Sequence, residues 1–415
     1  MGYDLSQLGS GWAPLNNQVL FRDLPVMVVN GFDTANTFNS QGAGSVIVDR
    51  NDNYRAASTI THLTGKHTVK FGAEFLRLTH NYTQTNTPSG IFTFNPDLTA
   101  ANGISTAGSG AGLATFLLGF PSSGSISTPA LVAGQQLYPA VFVNDDWHIT
   151  PKLTLNIGLR WEHAGPWTER FDRLSFFDPT RPNAVLAARG MNVLGNIGLV
   201  NSTDNNYRSN IYPNWGQLAP RAGFAYQITP KTVFRGGYGI FWLPNDVAWD
   251  YSPNNDPLNI LSTPITPSVF TGVPVTSISN PIPSGVAPPP GRSANYQQIL
   301  LGRGLTESQL ANPYGYAQQW NANIQRQFGD GFMLEVAYAG AKGTHLPVTR
   351  QVDTLPDQFL SLGTQLTQQV ANPFYGAVTA LGSTLLPPTV AQGQLLRPYP
   401  QFTGIAFAGA GIANS

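Results

Sequence analysis

Four times along this chain, two segments with alternating apolar and polar side chains flank a turn of a few residues, and a long polar stretch follows. The first pair runs from Tyr54 through Thr64-Gly65-Lys66 to about His80, with Val69, Phe71, Ala73 and Phe75 on one face and Lys70, Gly72 and Glu74 on the other. The second runs from Tyr138, turns at Thr150-Pro151-Lys152 and returns with Leu153, Leu155, Ile157, Leu159 and Trp161 opposite Thr154, Asn156, Gly158, Arg160 and Glu162. In the third, Ala222, Phe224, Tyr226 and Ile228 precede Thr229-Pro230-Lys231, and Phe234, Tyr238, Ile240 and Trp242 share the apolar side of the return, with Arg235, Gly237 and Gly239 facing away. In the fourth, Trp320, Ala322, Ile324 and Phe328 lead to Gly329-Asp330-Gly331, after which Phe332, Leu334, Val336 and Tyr338 alternate with Met333, Glu335 and Ala337.

Successive side chains of a strand point to opposite faces, so this alternation predicts a sheet with one apolar and one polar side. Gly, Pro, Asn and Asp set the short connections. The intervening stretches, residues 81–137, 164–218 and 243–315, are far longer than ordinary loops. A soluble sandwich spaces its turns more evenly, about every 8–12 residues. Short turns alternating with long loops instead describe an all-β fold, a partial antiparallel transmembrane β-barrel of about eight to twelve strands with short periplasmic turns and long extracellular loops. We read residues 1–415 as one barrel domain with hairpins near 54–80, 138–163, 218–243 and 316–343.

Composition fits a wall that is not kept in solution by charge. Charged residues are 11% of the chain, against roughly 25% in a soluble globular protein. The hydrophobic 41% comes in short pieces, with no apolar run of the roughly 18 residues that a membrane helix needs. Lys plus Arg equals Asp plus Glu at 22 each, so no net field draws nucleic acid, and nucleic-acid partners are excluded. With no cysteine, a disulfide scaffold, a thiolate metal site and a cysteine nucleophile are excluded as well. The start, Met-Gly-Tyr-Asp-Leu, lacks the basic and apolar regions of a signal peptide, so a secreted protein is expected to need a preceding segment.

Tyr54, Tyr138, Trp147, Trp161, Trp242, Trp320 and Tyr338 fall near predicted strand ends or turns, where interfacial aromatic girdles lie. Within the long stretches, Gly112 to Gly119 reads as a short helical turn, and the proline-rich Ile282 to Pro290 as extended chain. Arg397 to Gly411 reads as the lead-in to a further strand that has no partner.

No catalytic or cofactor constellation emerges, and the chain is read as a non-enzyme. His62 and His67 bracket a turn, His148 and His163 lie on separate strands, and none has the i,i+4 spacing of a helical metal site. Asp145 and Asp146 are adjacent in a strand, so they point to opposite faces and cannot form a carboxylate dyad. Gly236-Gly237-Tyr238-Gly239 lies in a strand without a following helix or lysine, so it is no phosphate loop. Lys70, Glu74, Arg160, Glu162, Arg235 and Glu335 share the polar face and are candidates for lumen polar networks or plain wall solvation.

Four blocks carry a family resemblance: THLTGKHTVKFGAEF at Thr61 to Phe75, FVNDDWHITPKLTLNIGLRWE at Phe142 to Glu162, LAPRAGFAYQITPKTVFRGGYGIFW at Leu218 to Trp242, and YAQQWNANIQRQFGDGFMLEVAYAGAKGTHL at Tyr316 to Leu346. Each resembles a strand-turn-strand block of TonB-dependent receptors, in particular the Oar-like group of acidobacteria whose chains carry a carboxypeptidase-regulatory-like domain. The resemblance implies a barrel in the bacterial cell outer membrane, in contact with outer-membrane lipid, importing an unidentified ligand. Energy would come from a TonB-type complex acting through an N-terminal plug region. It also implies that this chain is a fragment, with plug and C-terminal strands outside it. An open set of strands leaves backbone N–H and C=O groups unpaired in lipid, so the segment is expected to need the rest of its chain. A passive porin-like channel, a structural or adhesive surface barrel, and a soluble β-protein with apolar faces packed together are the rival readings.

Overall fold

A computed structural model describes residues 2–31, 45–101, 108–243, 255–265, 276–329 and 331–415. Its largest sheet contains the four hairpins as eight strands: β1 Tyr54–Thr64, β2 His67–Thr85, β3 Gly134–Thr150, β4 Leu153–Glu162, β5 Leu218–Thr229, β6 Thr232–Trp242, β7 Tyr316–Phe328 and β8 Phe332–Thr344. Each pairs antiparallel with its neighbour in sequence, an up-and-down meander. The outer edges of β1 and β8 have no strand partner among the described residues, so the sheet is open.

Register keeps the two faces separate. One row of paired residues crosses every strand as His62, Val69, Asp145, Ile157, Ala222, Tyr238, Trp320 and Gly340. The next row, on the opposite face, is Thr61, Lys70, Asn144, Gly158, Arg221, Gly239, Gln319 and Ala341. These rows start beside the β1–β2 turn and finish near the far end of β8, the stagger that barrel strands need in order to tilt.

The apolar side chains on the first face are bare. Ile60, Ile157, Val336 and Tyr338 are 55%, 52%, 61% and 64% exposed, and Phe71, Phe75, Val141, Val143, Leu159, Ile324 and Leu334 are also exposed. A water-soluble fold buries such a belt. The soluble reading is therefore set aside.

The short turns form for local reasons that repeat. In two of them the Thr hydroxyl accepts the amide of the Lys two residues on, Thr150 from Lys152 at 3.2 Å and Thr229 from Lys231 at 3.3 Å, with Pro supplying a fixed φ between them. Gly65 takes φ +56°, which a side chain would strain. Each turn is also tied to the next hairpin: the carbonyls of Lys66, Lys152 and Lys231 accept from the amides of His148, Gln227 and Gln327, all at 2.8 Å. In the fourth turn Asp330 lies outside the described residues.

At the other end the long stretches are not bare loops. They fold with the N-terminal residues into a packed cap. One sheet runs Val26–Val29, Ile91–Phe94, Ser123–Pro129, Ile260–Pro264 over a core of Leu5, Trp12, Leu15, Phe92, Phe94 and Ile126. A second core gathers Phe177, Ile197, Leu300, Phe402 and Ile405, and a third Leu186, Leu301, Phe374 and Leu385. Fully burying each such side chain stabilises by about 1.5–3 kcal/mol relative to leaving it exposed.

Gly112–Leu118 is helix α1, as expected, closed by Gly119 and packed with Phe116 edge-on against Phe94 at 5.0 Å. Two expectations need correction. The tail does have partners: Gly404–Ala413 is a strand, antiparallel to Leu346–Gln351 and parallel to Gly304–Glu307, because its small apolar residues fill the second core. Ile282 to Pro290 is only partly extended, since Pro283 and Ser284 form a turn closed by Gly285 N–H donating to the Ile282 carbonyl at 2.9 Å.

Candidate functional site

The polar face of the sheet carries the concentration of fixed chemistry, built by strand parity. On β1 to β4, Arg160 is the hub: its guanidinium donates to Glu162 at 2.6 Å, Glu74 at 3.0 Å and the Tyr138 hydroxyl at 3.3 Å. Tyr138 in turn donates to Glu162 at 2.5 Å, and Arg55 reaches Glu74 at 2.7 Å. Below this hub, towards the short turns, Lys70 pairs with Asp146 at 3.3 Å, and Asn156 donates to the same carboxylate.

On β6 to β8 amides predominate, with Arg235 and Glu335 as charged members. β7 presents Gln319, Asn321, Asn323, Gln325 and Gln327 in succession on this face. Arg235 donates to Gln325 and Asn323 to Glu335, each at 3.1 Å. Above them a depression is floored by Gly237, Gly239, Ala339 and Ala341, and the Arg221 guanidinium lies over the Phe241 ring, 4.8 Å from its centre.

All six residues singled out by alternation are thus on one face and engaged, in separate groups rather than one site. Asp145 and Asp146 are split as expected: Asp146 joins Lys70, while Asp145 meets His67 on the apolar face at 2.7 Å, beside the His67–Trp147 stack. Arg55 and Tyr138 were missed as members. Tyr138 belongs to the polar network rather than a girdle, because β3 starts at Gly134 and Tyr138 falls on the even-numbered, inward positions. Tyr338 likewise departs from expectation, standing midway along β8.

The decisive comparison is with a protein family. The family described as "Outer membrane beta barrel domain" matches residues 3–414. This chain belongs to that outer-membrane β-barrel family. No curated protein matches it. Among solved structures, similarity extends to the alcaligin outer-membrane receptor FauA from Bordetella pertussis, at 9% identity and TM-score 0.30 over 75% of this chain and 32% of that one. The ferric-catecholate import receptor Fiu from E. coli K12 is similar at 15% identity and TM-score 0.30, over 74% and 33%. The ferric citrate transporter FecA is similar at 10% identity and TM-score 0.29, over 77% and 31%. The chain spans about a third of the length of these receptors. The assignment rests on the family match.

As an outer-membrane barrel wall, the chain resides in the bacterial outer membrane, its bare apolar belt faces lipid and the polar networks face the lumen. Indoles mark the rim on the cap side: Trp161 donates to the Trp215 carbonyl and Trp242 to that of Leu218, both at 2.9 Å. Trp215, exposed, stacks on His163 at 3.8 Å. An indole with its N–H satisfied and its ring against lipid suits the membrane interface.

Proposed function

We propose that this chain is part of the barrel of a TonB-dependent receptor of the Oar-like group, importing a substrate across the outer membrane. The observation that carries the reading is the coincidence of the four resembling blocks with the four hairpins, each with apolar residues to lipid and hydrogen-bonding residues to the lumen. In this reading residues 1–415 form part of one barrel domain, and the plug and TonB-contacting segment lie elsewhere in a longer protein. The wall does no bond chemistry. Its fixed groups line the path.

The test is capture of the full-length protein, purified in detergent, by the periplasmic domain of a TonB protein. Binding is expected. No binding by correctly assembled protein, together with a steady open conductance in planar bilayers, would convert the reading to a passive channel. A closed bilayer with no TonB contact would leave a structural or adhesive barrel, a reading that the packed cap favours as the second choice.

A further inference from the structure

We propose that the depression below the cap on the lumen face of β5 to β8 is a binding subsite for an acidic sugar chain, recognised by a carboxylate on Arg221 and hydroxyls on Gln319 and Asn321. The inference rests on the import reading for its biological sense, but not for its test.

Three adjacent side chains there have hydrogen-bonding groups that no protein partner takes up. Arg221 makes no ion pair or hydrogen bond among the described residues, and its planar head is held against Phe241 by stacking alone. A guanidinium fixed on an aromatic face keeps its N–H fork free for bidentate contact with a carboxylate. Gln319 and Asn321 face the same space. Each amide both donates and accepts, which matches hydroxyl groups that also do both.

The floor is cleared for a ligand. Gly237, Gly239, Ala339 and Ala341 raise nothing into the space, and a Cβ at Gly237 would stand 3.2 Å from the Asn321 Oδ1, while one at Gly239 would stand 3.0 Å from the Phe241 ring. No carboxylate lines the depression, so nothing repels an anion there. The contrast is with the other half of the wall, where Arg160 is already saturated by Glu74 and Glu162.

The site continues as a track. Asn323, Gln325 and Gln327 follow Asn321 down the same face, about 7 Å apart along the strand; Asn323 donates to Glu335 and Gln325 accepts from Arg235, which leaves the Asn323 Oδ1 and the Gln327 side-chain amide without a protein partner among the described residues. A row of polar groups along the path suits an extended oligomer better than a compact hydroxyacid. A short uronate chain has the required pattern, one carboxylate and several hydroxyls per residue.

The test is titration calorimetry on the full-length protein in detergent with trigalacturonate, maltotriose and citrate. Trigalacturonate should bind and maltotriose should bind roughly tenfold more weakly, the scale of one charge-assisted contact. Arg221→Gln should erase that difference, and Gln319→Leu with Asn321→Leu should weaken both sugars. Gly237→Val, which fills the floor and crowds the Asn321 amide, should block both. Equal binding of maltotriose, tighter binding of citrate, no sugar binding, or wild-type affinity in correctly folded variants would each overturn the proposal. Circular dichroism and heat-modifiable gel mobility identify folded variants. Calorimetry needs no energised membrane, so a failure of TonB capture and a failure here are separate results.

Discussion

Arg160 shows what a single lumen residue holds together, because three acceptors from β2, β3 and β4 converge on one guanidinium. Glu74 and Glu162 side chains are only 19% and 10% exposed, so removing Arg160 leaves Glu162 poorly hydrated without its cation and Glu74 with Arg55 alone. Arg160→Leu should therefore cost about 2 kcal/mol in barrel stability, read as a lower urea midpoint for the full-length protein in lipid. Arg160→Lys keeps the charge but not the fork, and should fall between the two. Gly340 fails for a steric reason: a Cβ there would lie 2.6 Å from the Trp320 ring, which crosses the strand at that point. Gly340→Val should expel the indole and shift Trp emission, with a loss of roughly 1–3 kcal/mol from overpacking.

The cap segments respond to pH through carboxyls with little room for charge. Ser175 holds two of them, its hydroxyl oxygen 2.9 Å from Asp256 and 3.1 Å from Glu307. One hydroxyl proton cannot serve both, so one carboxyl brings its own. Asp256 also accepts the amides of Ser175 at 2.7 Å and Leu258 at 2.9 Å, which leaves Glu307 as the protonated partner. Burial pushes Asp256 up to about 7 and Glu307 well above the usual carboxylate range; the charge of Glu169 adds to the rise on Asp256, and that of Asp256 to the rise on Glu307. Burial likewise pushes Asp353 up to about 6. Unfolded, these groups release their protons near pH 4, while the folded cap retains them, so stability falls as pH rises from about 4 to 7 and is flat above for Asp256. The cap's melting temperature should drop across that window, and Asp256→Asn with Glu307→Gln should remove most of the slope. None of this pairing was legible in the sequence, and the contrast with the hairpins is physical. Alternation is a local signal, so Phe71 or Leu334 declares its face from its neighbours alone. The cap cores join Trp12 to Phe92 and Phe177 to Phe402, contacts with no period to read. Parity also located Lys70, Glu74 and Arg235, but Tyr138 was misplaced because the first residues of β3, Gly134 to Leu137, lack alternation.

For the whole molecule the governing question is which face of the sheet meets lipid, and two adjacent residues can decide it. Val336 and Ala337 are consecutive in β8 and point to opposite sides: Val336 pairs with Ile324 on the apolar face, Ala337 with Asn323 on the polar face. Backbone context, strand and depth are shared, so the neighbours differ in little but direction. Placing an arginine in lipid near mid-strand costs about 2–4 kcal/mol, whereas a lumen arginine stays hydrated. Val336→Arg in the full-length protein should therefore reduce the urea-resistant, outer-membrane-assembled fraction sharply. Ala337→Arg, with Glu335 two residues away on the same face and Asn323 beside it, should assemble close to wild type. If Ala337→Arg proved the more damaging, the faces would be reversed and the amide track on β7 would lie against lipid, where its unpaired groups could not be tolerated.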